Sequence, residues 1–124
     1  TGNLTYDEVK DYLSAADIGL SAVPPTPSQR FRSPTKVGEY LLCGLPYITC
    51  RGISEDDSYA EKYNVGVALD NFNDENIQAS INKINFLLDE DKTIIRKRCR
   101  EVGLAYRAKS NVDKILSKIY SEIF

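Results

Sequence analysis

The chain has 124 residues, of which 42% are hydrophobic and 27% charged, and this composition suits one globular domain with an apolar core. It contains no His, which excludes a Ser-His-Asp or Cys-His catalytic centre and a His-ligated metal. The net charge of -2 gives no general reason to expect a nucleic-acid partner. The chain also lacks Met and begins at Thr1, so we interpret it as part of a longer protein.

The charges are distributed unevenly along the chain. Residues 1–91 contain 7 Lys+Arg and 15 Asp+Glu and are therefore acidic, whereas residues 92–124 contain 9 Lys+Arg and 3 Asp+Glu and are basic. The two parts are expected to face different surroundings or each other. Cys43, Cys50 and Cys99 form no CxxC pair, which predicts neither a disulfide framework nor a zinc site and favours a reducing, cytoplasmic setting. No apolar run approaches the roughly 20 residues that a bilayer requires. Any membrane contact is therefore expected to be peripheral.

The first predicted helix begins with a capping box. Thr5 is expected to cap the helix, and Glu8 stands three residues later. Apolar side chains then recur at helical spacing and predict a helix that buries one stripe, formed by Val9, Tyr12, Leu13 and Ala16. The short apolar run at residues 18–23 ends at two prolines and predicts a buried strand.

The second predicted helix is the most clearly delimited in the sequence. Ser33 is a strong N-cap, Pro34 suits the first helical position, and Gly44 suits the left-handed residue after the last turn. The pattern that follows predicts a strand at residues 46–50, a short helix near residues 59–63 and a third strand at residues 65–69.

Three further helices are predicted after the third strand. Asn73 is expected to cap a helix that carries Ile77, Ile81, Ile84 and Leu88. The next helix, at about residues 93–106, carries Ile95, Cys99 and Val102. The last helix has an amphipathic stripe that is expected to pack on this domain or on another lobe of a longer protein, and its members are Val112, Ile115, Leu116, Ile119, Tyr120 and Ile123.

Strands that alternate with helices predict parallel strands joined by right-handed crossovers. The fold class is therefore α/β: a three-layer, Rossmann-like half domain with a short parallel sheet of about three strands and C-terminal helices. An open doubly wound sheet usually has about five or six strands. Residues 1–124 are thus expected to form half of such a domain, with an exposed sheet edge that offers a surface for self-association.

The candidate site lies at the start of the second helix. In an open parallel sheet, ligands bind beyond the carboxyl ends of the strands, where helix N-termini present free N–H groups. Ser33 and Thr35 stand at such a position, while Lys36 and Glu39 share a helix face with Thr35. Lys36 can neutralise phosphate charge, and Glu39 can accept hydrogen bonds from paired sugar hydroxyls. Spacing alone nevertheless favours a capped surface helix with a solvated Lys36–Glu39 pair.

A sequence motif at the candidate site gives evidence beyond the spacing of its residues. Residues 33–48 read SPTKVGEYLLCGLPYI and closely resemble the nucleotide-sugar site of GT-B glycosyltransferases of the large family 4, where the segment has the form SPxKxxEYxxxGxPxI. In that family an AAD stretch and its strand come before the segment. The chain has the AAD stretch at residues 15–17. The segment YAEKYNVG at residues 59–66 and the closing amphipathic helices are similar as well.

The resemblance implies roles for individual residues. Glu39 corresponds to the carboxylate that binds the ribose hydroxyls of the donor nucleotide. The diphosphate cradle corresponds to the helix start, namely Ser33, Pro34, Thr35 and Lys36. The family often carries a second Glu eight residues before this carboxylate, where it contacts the donor sugar, but Phe31 occupies that position here. The resemblance therefore does not indicate which sugar is transferred, assigns no catalytic residue and implies no metal or cofactor.

The resemblance implies that residues 1–124 are the second half of the C-terminal, nucleotide-sugar-binding lobe of a glycosyltransferase. Such an enzyme transfers a sugar from a nucleotide-diphosphate donor to a glycan or lipid-linked acceptor. The expected setting is bacterial surface-polysaccharide assembly, of O-antigen or capsule, in the cytoplasm or at the inner face of the membrane. The segment alone is not expected to catalyse transfer. The alternatives are a non-catalytic α/β module that binds a phosphorylated ligand and a purely structural association domain.

Other charged residues are weaker candidates. Arg30 and Arg32 are candidate phosphate contacts, although arginines in a Pro-rich loop are more often solvated. The basic run at residues 96–100 is a candidate for contact with anionic lipid, but a charged helix face is the favoured interpretation because few apolar residues accompany it. Asp56 and Asp57 are adjacent carboxylates and only weak indicators of a metal site.

Overall fold

The fold is built around a sheet of three parallel strands. The computed structural model describes residues 2–123, without the side chain of Ile123; Thr1 and Phe124, the ends of the predicted domain, lie outside the described residues. Strands β1 (Gly19–Ser21), β2 (Tyr47–Cys50) and β3 (Gly66–Leu69) pair in that order. Tyr47 aligns with both Gly19 and Gly66 in the two registers.

Six α-helices accompany the sheet within residues 2–123, in addition to a 3-10 turn at Gln29–Phe31. They are α1 (Tyr6–Ala15), α2 (Thr35–Leu42), α3 (Asp56–Lys62), α4 (Asp74–Leu88), α5 (Lys92–Tyr106) and α6 (Lys109–Ile123). The crossovers between strands contain α2 and α3, and a crossover connection of this kind is what allows neighbouring strands to run parallel. The predicted α/β class, with a short parallel sheet and C-terminal helices, is confirmed.

The core lies between the sheet and the helices α2, α3 and α5. Its fully buried members include Val37 and Leu41 of α2, Tyr47 of β2, and Cys99 of α5. Helix α5 lies very close to α2 at Gly103, where an added Cβ would be 3.0 Å from the backbone of Leu41. The predicted inward side chains of this helix, Ile95, Cys99 and Val102, are all buried.

Several predicted helix ends are confirmed. Asn73 accepts a hydrogen bond from the Asn76 N–H at 2.9 Å, and Gly44 adopts a left-handed φ of 78° after α2. The Glu8 carboxylate accepts from the Thr5 N–H at 2.7 Å, which is the carboxylate half of the predicted capping box. These ends are local features, so the sequence alone is sufficient to predict them.

The start of α2 differs by one residue from the prediction. The helix begins at Thr35, and Pro34 occupies the N-cap with an extended ψ of 114°. Ser33, the predicted N-cap, lies one residue before the cap. Its hydroxyl takes part in a tertiary contact instead, since it accepts a hydrogen bond from Arg107 at the end of α5.

The prediction that α1 buries a stripe is wrong. None of its residues is fully buried: Val9 and Leu13 are half-buried, and Tyr12 is 65% exposed. The helix is instead held at its C-terminal end, where the Arg96 guanidinium donates to the Ser14 carbonyl at 2.7 Å. Its apolar side is therefore only partly covered within residues 2–123.

Helices α4 and α6 also keep apolar side chains in contact with solvent. In α4 the buried positions are Ser80 and Leu87, while Ile77 and Ile81 stay about two-fifths exposed. Every described side chain of α6 from Val112 to Glu122 is exposed, so the predicted packing of its stripe on this domain is wrong. The Ile123 side chain lies outside the described part. Packing of α6 on another lobe stays a prediction.

The sheet has two open edges within residues 2–123. Because β2 is central, β1 and β3 each have one side without a paired strand among the described residues. Leu20 of β1 is 62% exposed. A role of either edge in self-association stays a prediction.

Candidate functional site

A cavity of about 510 Å³ opens at the carboxyl end of β1. Its walls come from the end of β1, from the loop that leads to α2 and from the first turn of α2. The lining includes Ser21, Arg32, Ser33, Pro34, Thr35 and Lys36. Four of the five predicted donor-binding residues thus line one cavity, and only Glu39 is not among them. Of the two candidate arginines, Arg32 lines it and Arg30 does not.

The first turn of α2 presents backbone donors to this cavity. Pro34 has no N–H, and the Val37 N–H donates to the Pro34 carbonyl at 3.3 Å. The N–H groups of Thr35 and Lys36 donate to no group within residues 2–123. Because the first N–H groups of a helix carry partial positive charge, these two donors and the cavity form a setting suited to an anion.

Lys36 and Glu39 are both exposed and lie one turn or less apart on α2. Neither side chain forms a hydrogen bond or an ion pair with any residue in the part of the chain that the structure describes. Lys36 lines the cavity, whereas Glu39 lies one turn beyond it. The solvated ion pair that spacing alone favoured is therefore not formed, and both side chains are available to a ligand.

The structure places the two candidate arginines differently. Arg32 lines the cavity and donates from Nη1 to Gln29 Oε1 at 2.9 Å. Arg30 lines a second cavity of about 420 Å³ together with Tyr59 and Arg107, and Arg32 and Ser33 line both cavities. Arg30 is therefore not among the residues that surround the first cavity.

A buried charged network joins the site to α3 and α5. Arg107, the C-cap of α5, donates from Nη1 to the Ser33 hydroxyl and from Nη2 to Asp56 Oδ1. Asp56 is fully buried at the first residue of α3, and Arg107 is 14% exposed. Burial raises the pKa of the Asp56 carboxyl above its ordinary value, although the Arg107 guanidinium lowers it. The carbonyl of Asp56 also accepts from the Tyr47 hydroxyl at 2.6 Å.

No local sequence pattern indicates this network. Arg107 lies 74 residues from Ser33 and 51 residues from Asp56 along the chain, so no local spacing connects them. Asp56 and Asp57 were considered only as weak metal ligands. Asp57 instead accepts from the Gly52 and Ser58 N–H groups, and within residues 2–123 no group of three or more acidic or cysteine side chains is arranged to hold a metal ion.

The basic run of α5 is largely occupied by internal contacts. Arg96 donates to the end of α1, and Arg98 binds Glu90 through both terminal nitrogens at 2.6 and 2.7 Å. Arg98 also donates to the Asn64 carbonyl at 2.8 Å. These contacts favour the interpretation as a helix face that stabilises the fold. None of the described helices combines the length and apolar character needed to cross a bilayer.

The geometry of the site is suited to binding an anion rather than to moving protons. The groups that line the cavity near α2 are backbone N–H donors, two cationic side chains and hydroxyls. Glu39 adds a carboxylate one turn away. Comparisons of the chain with protein-family models, with curated proteins and with solved structures gave no significant match. The assignment to a glycosyltransferase family therefore stays a prediction from the motif.

Proposed function

We propose that this chain binds the nucleotide diphosphate of a sugar donor and forms part of a GT-B glycosyltransferase. The observation that carries the proposal is the first turn of α2, where two free N–H groups meet a cavity at the carboxyl edge of the sheet. This turn lies within the segment SPTKVGEYLLCGLPYI, whose resemblance to a nucleotide-sugar site supports the same ligand. Parallel sheets characteristically bind nucleotides at this edge.

Each candidate residue has a role in this proposal. The N–H groups of Thr35 and Lys36 hold phosphoryl oxygens, and the Lys36 ammonium adds a positive charge. Glu39 accepts hydrogen bonds from the two ribose hydroxyls, since its carboxylate has no competing partner among residues 2–123. During transfer these donors stabilise the charge that develops on the leaving diphosphate. The acceptor is a glycan or a lipid-linked glycan, in bacterial surface-polysaccharide assembly at the cytoplasmic side.

The proposal is tested by titrating the chain with UDP, GDP and inorganic phosphate while amide NMR shifts are followed. We expect a nucleoside diphosphate to shift residues 33–39 at lower concentration than phosphate does. The variant Glu39→Gln is expected to lose about tenfold or more in nucleoside diphosphate affinity, because a charge-assisted hydrogen bond contributes roughly 1.5–3 kcal/mol. Its phosphate affinity is expected to stay unchanged, because phosphate has no ribose.

Glu101→Gln is the matched control, since Glu101 is an exposed carboxylate of α5 that lies 3.9 Å from Lys97 and away from the cavity. Equal responses to phosphate and to both nucleotides would indicate the alternative, a module that binds phosphorylated ligands in general. Self-association without any ligand response would indicate an association domain. A nucleotide affinity that Glu39→Gln leaves unaltered would remove Glu39 from the site.

A further inference from the structure

The contact between Arg107 and Ser33 links the end of α5 to the entrance of α2. Arg107 is anchored by the fully buried carboxylate of Asp56, so its guanidinium has a fixed position. The Arg107 stem lies beside Gly38 of α2, where an added Cβ would be 3.4 Å from the Arg107 Cβ. Three segments that are distant in the chain thus converge on one guanidinium. Arg107 lines the second cavity of about 420 Å³, and Ser33 lines both this cavity and the first one.

The direction of this hydrogen bond determines what Ser33 can do. A guanidinium has only donors, so the Ser33 oxygen must be the acceptor. A hydroxyl has one proton in addition to its lone pairs, and this proton stays available when the oxygen accepts. Ser33 lines the cavity of about 510 Å³. The hydroxyl proton can therefore be donated to an anion there, and the neighbouring guanidinium polarises it.

Ser33 does not cap the first turn of α2. A Ser in the N-cap position would use its oxygen to accept from the free N–H groups of the first turn. Here the Ser33 oxygen accepts from Arg107 instead, and the N–H groups of Thr35 and Lys36 keep no partner within residues 2–123. Among the described residues, the site thus has three available donors: two N–H groups and one hydroxyl.

We propose that Arg107 is a positioning residue for the anion site: it holds Ser33 so that the hydroxyl and the first-turn N–H groups of α2 all donate to a phosphoryl group. The inference rests on the proposed function, because it requires a phosphoryl ligand in this cavity. Arg107 acts through Ser33 and does not itself bind the ligand.

The test is a double-variant cycle of UDP binding and inorganic phosphate binding to this chain. Ser33→Ala and Arg107→Gln are each expected to weaken both ligands about tenfold or more, as the loss of one hydrogen bond to a charged group predicts. Because Arg107 acts through Ser33, the double variant is expected to bind no more weakly than either single variant. Arg107→Lys, which keeps one charged donor, is expected to recover part of the affinity.

Arg98→Gln is the matched control. Arg98 belongs to the same helix, is half-buried and forms an ion pair, but it contacts Glu90 and Asn64 rather than Ser33. We expect this variant to be less stable and to bind with unchanged affinity. Where Arg107→Gln does not fold because Asp56 keeps a buried charge, the pair Asp56→Asn with Arg107→Gln replaces it in the cycle, with the same expected result.

Several outcomes would overturn the inference. Wild-type affinity in Arg107→Gln would do so, and so would additive losses in the double variant, which would mean that Arg107 contacts the ligand directly. A loss in Arg98→Gln equal to that in Arg107→Gln would assign the effect to general stability. In each of these cases the wild type still binds UDP, so the proposed function stands. If the wild type binds neither UDP nor phosphate, the proposed function and this inference fail together.

Discussion

Ser33 illustrates how a residue with a clear local preference acquires a different role in the fold. Its type and its place before Pro34 favour an N-cap, and the helix does begin two residues later. The hydroxyl is nevertheless held by Arg107, which is 74 residues away. A local pattern predicts where a helix begins, but it does not predict which distant donor competes for the capping oxygen.

Glu39 and Lys36 were predictable for the opposite reason. Their positions on one helix face follow from spacing alone, and both are exposed as a surface stripe requires. The sequence did not indicate that Lys36 and Glu39 form no ion pair with each other in the structure. An exposed Lys–Glu contact contributes little to the stability of the folded state. Its absence therefore lowers stability very little and leaves both side chains available to a ligand.

The Glu90–Arg98 pair predicts a pH dependence of stability. Hydrogen bonds from Arg98 lower the pKa of the Glu90 carboxyl below its ordinary value of 4.5. A carboxylate whose pKa is lowered by folding stabilises the folded state above its unfolded pKa, and this contribution is lost as the pH falls through the folded pKa. Glu90→Gln is therefore expected to be about 1 kcal/mol less stable near pH 7, and the difference is expected to shrink as the pH falls below 4.5 and through the lowered pKa of Glu90.

Urea unfolding of both chains at a series of pH values measures this difference. Glu101→Gln serves as the control, because the 3.9 Å contact of Glu101 with Lys97 is exposed and is expected to contribute little to stability. A difference between the wild type and Glu90→Gln that does not shrink as the pH is lowered from 7 to well below 4.5 would contradict the prediction.

At the scale of elements, helices and strands were predicted best from the sequence where local residues define their ends. The caps at Thr5, Asn73 and Gly44 are local, and so are the three apolar runs that become strands. The apolar stripes of α1 and α6 have the expected period, yet the α1 stripe is only partly buried and the described side chains of the α6 stripe are exposed. Periodicity reports which face of a helix is apolar, and it does not report what covers that face.

The contact between α2 and α5 predicts a difference between two glycines. A Cβ at Gly103 would lie 3.0 Å from the backbone of Leu41 and Leu42, whereas a Cβ at Gly38 would meet only the Arg107 side chain at 3.4 Å. Both substitutions to Ala gain the same helix propensity of about 1 kcal/mol. Gly103→Ala is therefore expected to be less stable than Gly38→Ala by about 1–3 kcal/mol, the usual range for overpacking.

Denaturant unfolding of the two variants under one set of conditions provides the comparison, and Gly38→Ala is the built-in control for propensity. Equal stability of the two variants would mean that α5 moves away from α2 without cost, and it would contradict the close contact at Gly103.

At the scale of the whole molecule, the apolar surface is distributed unequally. The core between the sheet and α2, α3 and α5 is well buried, but exposed apolar side chains remain on α1, α4 and α6. The number of strands expected from the sequence is confirmed within residues 2–123, and the sheet has two open edges there. That these strands are half of a larger sheet stays a prediction. The sequence alone could not indicate how little of α6 touches the rest, because amphipathicity is the same for a packed and an unpacked helix.

Removal of most of α6 is expected to leave the stability nearly unchanged. The side chains from Val112 to Glu122 are exposed, so deleting residues 113–124 removes little buried apolar area. The deletion keeps Asn111, whose amide donates to the Leu104 and Ala105 carbonyls at the end of α5. We expect the free energy of unfolding to change by less than about 0.5 kcal/mol, as for most surface changes.

Urea unfolding of the truncated chain measures this change, and Asn111→Ala in the complete chain is the matched comparison. That variant loses two hydrogen bonds at a helix end and is expected to cost about 1 kcal/mol or more. A loss above about 2 kcal/mol on truncation would mean that α6 packs on the domain.

The contacts of α5 also determine the order in which the chain can become stable during synthesis. Arg96 holds the end of α1 across 82 residues, Arg98 holds the Asn64 carbonyl across 34, and Arg107 joins Ser33 and Asp56 across 74 and 51. Contacts this distant in sequence close large loops and form late. The sheet and the first three helices therefore emerge from the ribosome before α5, whose arginines connect them. A chain that ends before Arg107 lacks the hydrogen bonds that this residue makes to Ser33 and Asp56, and we expect proteases to cleave it more readily than the 124-residue chain.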